Sequence, residues 1–266
     1  MSQKKITIKD VAKEAGVSVA TVSYVINNRT DIRITDATRK KVLQVINLLN
    51  YTPNQAAKAL ATNRKSLLAL SFSGSTSPLK HAEQMYVIEF LSEFFHSKNY
   101  ELLILNAHYN EKCDQADAII CLDISSEYFH QLGDCNFIPL VALDCLINDP
   151  LFFQINSSPN RLKEEAAAQF GDNSYQYFTL STDNKERQQL LLEHFPDIRF
   201  ISDFRDVANV SGANLLLTDH VLYDLLSENN NVCYSPSLSV KKAEQLFACI
   251  EKAIDRTPME QHDLFI

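Results

Sequence analysis

Tryptophan is absent from this 266-residue chain, and glycine is scarce, with five in all. So few glycines leave no room for a glycine-rich phosphate loop, and neither GxGxxG nor GxxxxGK(S/T) occurs. No run of about 18 apolar residues exists, so no membrane span is expected. The start, Met1-Ser2-Gln3-Lys4-Lys5-Ile6, lacks the apolar core and small-residue cleavage site of a signal peptide, and the expected compartment is the cytoplasm. The seven histidines show no HExxH or paired metal spacing, and there is no GxSxG elbow. No enzyme activity, metal or cofactor is therefore expected. The six cysteines (Cys113, Cys121, Cys135, Cys145, Cys233, Cys249) have no CxxC spacing and read as buried reduced thiols.

What is present is an ordinary globular composition, 45% hydrophobic and 22% charged, in a length that suggests about two domains. The net charge of −8 taken whole argues against nucleic acid, but the charge is unevenly spread. Residues 1–65 hold 12 basic and 4 acidic side chains, a net of +8, while residues 66–266 hold 13 basic and 29 acidic, a net of −16. A basic head on an acidic body is the asymmetry of a DNA-binding module fused to another domain.

The patterning of the head supports that reading. Ile8, Val11, Ala12 and Ala15 fall at i, i+3, i+4, i+7, one apolar face of a helix with Thr7 before it and Asp10 three residues on. Gly16 ends this helix, and Ser18 can cap a second whose Val22, Val25 and Ile26 face inwards. The outward face then shows Val19, Ala20, Thr21, Ser23, Tyr24 and Asn27. These are short or hydrogen-bonding groups that permit close approach to base edges in a major groove. A third helix begins near Thr35, and its Val42, Val45, Ile46 and Leu49 repeat the spacing and close a three-helix core. Arg39, Lys40 and Lys41 lie along it.

The run Thr7-Ile8-Lys9-Asp10-Val11-Ala12-Lys13-Glu14-Ala15-Gly16-Val17-Ser18, with Thr21-Val22-Ser23, resembles the helix-turn-helix head of the lactose/galactose repressor (LacI/GalR) family. Leu49-Asn50-Tyr51-Thr52-Pro53-Asn54-Gln55-Ala56-Ala57-Lys58-Ala59-Leu60 is similar to that family's third-helix end and hinge helix. The resemblance implies DNA contacts from Thr7, Ser18, Val19, Ala20, Thr21, Ser23, Tyr24, Asn27, Thr35, Asn54, Ala57 and Leu60. Val19, Ala20 and Tyr24 would choose the operator sequence. Many members carry arginine where Tyr24 stands, which implies a different base preference. The loop from Asn28 to Ile34 is slightly longer than the commonest form.

Asn54 can cap a short helix over residues 55–61, which include four alanines and one charge. Nucleation is too costly for so short a helix to be stable alone, so it is expected to order against its twin and DNA. Leu60 is then a wedge for a minor-groove base step, the family's use of the matching leucine; the plainer reading is a linker helix.

Beyond residue 65 the chain alternates strand-like runs (Leu67–Phe72, Tyr100–Asn106, Ala118–Leu122, Leu140–Leu143, Tyr175–Leu180, Phe200–Ser202, Leu215–Thr218, Val232–Tyr234) with helical patterns. The latter are Ala82–Ser97, Ser126–Leu132, Arg161–Phe170, Lys185–Phe195, Asp219–Ser227 and Lys241–Arg256. Such alternation predicts an α/β body of parallel sheets with covering helices. The resemblance implies two such subdomains around a cleft, as in a periplasmic sugar-binding protein. The expected organisation is a helix-turn-helix domain at 1–53, a hinge helix and linker at 54–65, and an effector and dimerisation body at 66–266. The body reads as shortened: only 12 residues join Asn106 to Asp117 where the family inserts a helix, Ser235 stands where the family has a sugar-binding aspartate, and the last strand stops early.

For an effector site the resemblance offers Ser73, Arg187 and Asp219. Ser73 lies in a turn facing the cleft. Arg187 aligns with the family arginine that donates to ligand oxygens, a task suited to a fixed fork of donors, but a solvated surface arginine is the open alternative. Asp219 matches a cleft-rim aspartate, yet it also precedes Val221–Leu226 as a helix N-cap. The functional expectation is a sequence-specific transcription regulator, a repressor on a near-palindromic double-stranded DNA operator as a homodimer. Its body is either a sensor of a small sugar-like effector or a dimerisation scaffold that binds none. A free-standing sugar-binding protein or an enzyme is the remote alternative.

Overall fold

The computed structural model of the chain describes residues 6–26, 29, 32–51, 64–258 and 261–266. It divides into two compact units, residues 1–65 and 66–266.

In the first unit, α1 (Ile8–Ala15), α2 (Val19–Ile26) and α3 (Asp36–Leu48) each start at a side-chain cap. The Asp10 carboxylate accepts from the Thr7 N–H at 2.8 Å and from its hydroxyl at 2.7 Å, holding the first turn of α1. Gly16 closes α1 at φ 66°, a left-handed conformation that costs glycine little, and sends its N–H back to Ala12 and Lys13. Ser18 Oγ accepts the Thr21 N–H at 3.1 Å to start α2, and the Thr35 hydroxyl accepts the Thr38 N–H at 3.2 Å to start α3. Val11, Ala12, Ala15, Val22, Val25, Val42 and Val45 are buried together, with Ile8, Ile26, Ile46 and Leu49 packed around them. This is the three-helix core that the spacing predicts. The hinge expected at 54–65 lies outside the described residues apart from Arg64 and Lys65.

The second unit runs β1 (Leu67–Phe72), α4 (Pro78–Ser97), β2 (Glu101–Ile104), β3 (Ala118–Leu122), α5 (Ser126–Cys135), β4 (Leu140–Leu143), β5 (Phe153–Asn156) and α6 (Pro159–Phe170). It continues with β6 (Gln176–Leu180), α7 (Lys185–His194), β7 (Arg199–Ile201), β8 (Asn214–Leu217), α8 (His220–Leu226), β9 (Asn231–Tyr234), α9 (Val240–Asp255) and β10 (Asp263–Phe265). The strands form a six-stranded sheet, β10-β5-β4-β3-β1-β2, and a four-stranded sheet, β7-β6-β8-β9. Every pairing is parallel.

Alternation along the strands feeds two faces of each sheet. On the larger sheet, Leu68, Leu70, Ile120 and Val141 pack against Leu91 and Phe95 of α4 and Leu246 and Ile250 of α9. Ala69, Ile119, Cys121 and Ala142 face the other way, towards Phe129 and Leu132 of α5. The smaller sheet is covered by α8 on one face and by α6 and α7 on the other. No helix among the described residues is long and apolar enough to cross a membrane.

Three details depart from expectation. β5 is an additional strand, because Gln154 and Asn156 interrupt the apolar run yet are both 3% exposed. α4 begins at Pro78 behind the Ser77 cap, earlier than the Ala82 start read from the pattern. Cys135 is exposed at the end of α5, where the pattern implied a buried thiol; the other five are buried and all six are free. The connection from β2 to β3, residues 105–117, forms no helix, as its length suggests.

Candidate functional sites in the head and the body

On α2, Val22 and Val25 are buried while Val19 and Ala20 are exposed and Thr21, Ser23 and Tyr24 are half-buried. The exposed end of the helix is therefore small and apolar, flanked by hydroxyls, with no charged side chain on α2 itself. The Arg29 guanidinium lies 5.8 Å from the centre of the Tyr24 ring, and Arg39 Nη2 reaches the Arg29 carbonyl at 3.5 Å. Thr7, Ser18 and Thr35 stand at the starts of the three helices, where N–H groups point outward and suit an anion such as phosphate. Asn27, Asn54, Ala57 and Leu60 lie outside the described residues.

In the body, three aspartates follow three strands directly: Asp123 after β3, Asp144 after β4 and, one residue on, Asp219 after β8. This is the carboxyl edge of parallel sheets, where open α/β folds bind ligands. Asp123 and Asp144 both hold left-handed backbone, at φ 48° and 51°, a conformation uncommon outside glycine and concentrated at functional sites.

Three cations face them. Lys80 Nζ of α4 lies 3.0 Å from both Asp123 and Asp183 and donates to the Ser181 carbonyl at 3.1 Å. Lys242 Nζ of α9 lies 2.6 Å from Asp144 and donates to Ser157 Oγ at 3.0 Å and the Ser237 carbonyl at 2.8 Å. Arg187 of α7 sits between, 3.6 Å from Asp123 and 4.0 Å from Asp144. Asp219 Oδ2 accepts from Thr179 Oγ1 at 2.8 Å, the Leu180 N–H at 3.1 Å and Thr218 Oγ1 at 3.2 Å.

Burial and neighbouring charge oppose one another throughout this set. Burial alone would lower the Lys80 pKa, but Asp123 and Asp183 more than offset it and hold it above the ordinary value. Arg187 behaves likewise, raised by Asp144 and Asp123 against its burial. For Lys242 burial wins, and its pKa falls despite Asp144. Burial raises Asp123 and Asp219 against the pull of their cations and hydrogen bonds. Glu83, on α4, is pushed up to about 7 by burial and by the Asp219 charge, against the pull of the Val221 and His220 N–H groups.

The space these groups enclose is about 60 Å³. Ligand pockets run from about 300 Å³ upward, whereas a water needs about 10–15 Å³ of such volume. The cleft in this conformation thus has room for a few waters and not for a sugar. Of the expected effector residues, Arg187 and Asp219 line it and Ser73 does not. Ser73 Oγ is buried without a hydrogen-bond partner, while its carbonyl accepts from Gln84 Nε2 at 3.1 Å. The solvated alternative for Arg187 is overturned: its side chain is 14% exposed and carries two carboxylate neighbours. Asp219 does hold the N-cap position of α8, but its side chain makes no cap hydrogen bond and turns into the cleft instead. Ser235 is buried, with Arg161 Nη2 donating to its hydroxyl at 3.4 Å.

Lys80, Glu83, Asp123 and Asp144, with Lys242 paired to Asp144 behind them, are the residues that sequence reasoning missed. For the aspartates a signal existed: Cys121-Leu122-Asp123, Ala142-Leu143-Asp144 and Leu217-Thr218-Asp219 each end an apolar strand on a carboxylate.

The described residues thus form a small capped three-helix module followed in sequence by a two-sheet parallel α/β body. Residues 7–54 match the model of the bacterial regulatory proteins of the lacI family. It is 31% identical over 182 residues to the HTH-type transcriptional repressor PurR of Photobacterium profundum, covering 64% of this chain and 53% of that protein. It is 32% identical over 179 residues to the probable HTH-type transcriptional repressor ExuR of Bacillus subtilis, again 64% and 53%. The chain thus spans about half the length of the curated relatives it matches. Among solved structures, the lac repressor dimer bound to operator and the anti-inducer ONPF aligns with 99% of this chain and 96% of its own. The TM-score is 0.51 at 17% identity, a likeness of fold.

Proposed function

We propose that the chain is a sequence-specific, cytoplasmic DNA-binding regulator of transcription, a repressor that acts as a homodimer on a near-palindromic operator. The observation that carries this reading is the outer face of α2, with Val19 and Ala20 exposed on a helix capped by Ser18. It sits in a head of net charge +8. Two such helices would occupy successive major grooves, with Ser18, Val19, Ala20, Thr21, Ser23, Tyr24 and Asn27 towards the bases and Thr7 and Thr35 towards phosphates. Residues 1–53 form the DNA-binding domain, 54–65 the hinge with Asn54, Ala57 and Leu60 in the minor groove, and 66–266 the body. Enriching an operator from random duplexes and measuring anisotropy with the full chain tests this. Deletion of residues 1–65, or Leu60→Ser, abolishes or weakens operator binding; unchanged affinity would sink the assignment.

For the body, the small enclosed volume and the ion pairs across it favour a scaffold held closed by its own side chains. The sensor reading rests on Arg187, whose guanidinium lines the cavity and makes ion pairs at 3.6 and 4.0 Å without a hydrogen bond to a described residue. Thermal-shift measurements with sugars, sugar phosphates and nucleosides decide between them. A ligand that stabilises the native chain but not Arg187→Ala establishes the sensor, and no shift across the panel establishes the scaffold.

A further inference from the structure

The first turn of α4 lies in the crevice between the two sheets and packs differently from the rest of the helix. From Val87 onward the apolar face of α4 covers the larger sheet, with Leu91 and Phe95 in its core. Leu79 instead is buried in the core of the smaller sheet, with Phe178, Leu180, Ile201 and Leu217. Ser77, the cap of the helix, donates to the Ser202 carbonyl beyond β7 at 2.7 Å. Lys80 follows, 8% exposed, with its ammonium at the carboxyl edge of both sheets. Residues 78–81 are the turn that the apolar pattern does not predict; the Ser77-Pro78 start adds it to the helix.

An ammonium group has three N–H donors and no acceptor. Around Lys80 three acceptors lie within reach: Asp123 at 3.0 Å on the larger sheet, and Asp183 at 3.0 Å and the Ser181 carbonyl at 3.1 Å on the smaller. The group thus bridges the two halves of the crevice where open α/β folds take a ligand. The neighbouring loops close round it. Thr182 donates to Asp123, and Asn184 Nδ2 donates to the Ile124 and Leu146 carbonyls at 3.0 Å, while Asn184 Oδ1 accepts the Leu146 N–H at 3.0 Å. With Leu79 and Lys80 in place, the space left is the 60 Å³ already described.

We propose that the first turn of α4 is a built-in ligand: Leu79 and the Lys80 ammonium occupy the crevice in place of a small molecule and hold the body closed without one. This deepens the scaffold reading of the body and rests on it. Lys80→Ala removes three methylenes and an ammonium, the size of n-propylammonium, and that ion is the probe. In the full chain at pH 7, n-propylammonium chloride is expected to raise the melting temperature of Lys80→Ala with saturation. It should do no more than sodium chloride of equal strength for the native chain, or for Lys112→Ala, which loses an exposed lysine paired with Asp114.

Amide exchange reads closure itself. Lys80→Met keeps the stem and drops the charge. Its Leu146 and Val221 N–H groups, both bonded across the crevice, should exchange about tenfold faster than in the native chain, a larger rise than at Ile120 and Phe178 inside the sheets. Three results would each overturn the proposal. They are no stabilisation of folded Lys80→Ala by propylammonium, an equal shift from tetramethylammonium, which has no N–H to donate, or a rise in Lys80→Met no larger at Leu146 and Val221 than at Ile120 and Phe178. Where circular dichroism shows that Lys80→Ala does not fold alone, Lys80→Met decides. Failure of the scaffold reading is seen separately, as a sugar, sugar phosphate or nucleoside that stabilises the native chain and not Arg187→Ala.

Discussion

Glu83 Oε2 accepts the Val221 N–H at 2.9 Å, so α8 of the smaller sheet is capped by a carboxylate from α4 of the larger one. Asp219, which stands at the N-cap, is thereby released to bind Thr179 and Leu180. The same helix makes further ties across the cleft: Ser77 Oγ donates to the Ser202 carbonyl at 2.7 Å and Lys80 Nζ to that of Ser181 at 3.1 Å. α4 therefore ties the two sheets together through Ser77, Lys80 and Glu83.

Stability of the body should fall as pH rises through neutrality. Glu83 has a folded-state pKa of about 7 against an ordinary 4.5, so between those values the folded chain binds more protons than the unfolded one. Linkage then makes the folded state gain on acidification across that window and lose on the way up, by at most about 3 kcal/mol. Asp123 and Asp219, also raised, act in the same direction. Urea midpoints at pH 5.5 and pH 8 measure the slope, and Glu83→Gln should flatten it. A slope unchanged in that variant would remove Glu83 as its source.

Lys242→Met should be among the costliest single changes in the body. Lys242 and Asp144 are 2% and 7% exposed, and removing one member of a buried pair leaves the other without compensation, a loss of about 3–5 kcal/mol. Adding Asp144→Asn should restore part of it. A double-mutant cycle with additive losses would show that the pair is not coupled.

Ser18→Ala should destabilise the head by about 0.5–2 kcal/mol through loss of the cap on α2. Differential scanning calorimetry of the full chain should show the change in the head's transition and leave that of the body in place. A shift confined to the body would contradict the division at residue 65.

Operator selection should change with Val19, Ala20 and Tyr24. Each favourable base contact is worth about 1–3 kcal/mol, so Tyr24→Ala should relax preference at one or two positions of the half-site and weaken specific binding about tenfold or more. Non-specific affinity should change little, and both should fall steeply with salt. Enrichment of the same sequence by Tyr24→Ala and by the native chain would assign recognition elsewhere.

The sequence was most legible where one physical signal acts alone. The eight strands it predicts are apolar runs closed by polar residues, and the head helices combine a 3.6-residue period with caps at Thr7, Ser18 and Thr35. β5 was hidden because its polar residues find partners in the loop that precedes it and, through Gln154 to Asp263, in β10. The Ile147 N–H donates to Gln154 Oε1 at 3.0 Å, and Asn156 Nδ2 donates to the Cys145 carbonyl at 3.3 Å. The start of α4 was legible in Ser77-Pro78, a cap followed by proline at the first helical position, but the apolar period there is weak. The cleft was least legible. Lys80 and Lys242 look like solvated charges on amphipathic helices, and only the fold brings them against aspartates 43 and 98 positions away.

The larger sheet is built from two separated stretches of chain, because α9 and β10 return to it after the whole smaller sheet has been laid down. Residues 159–234, which hold the smaller sheet, are by contrast continuous. On a ribosome adding about 5–20 residues each second, the larger sheet therefore waits roughly 4–15 s, with the surface later covered by Leu246 and Ile250 open, while the intervening segment emerges. The body's second-made part is therefore the one that can be finished first.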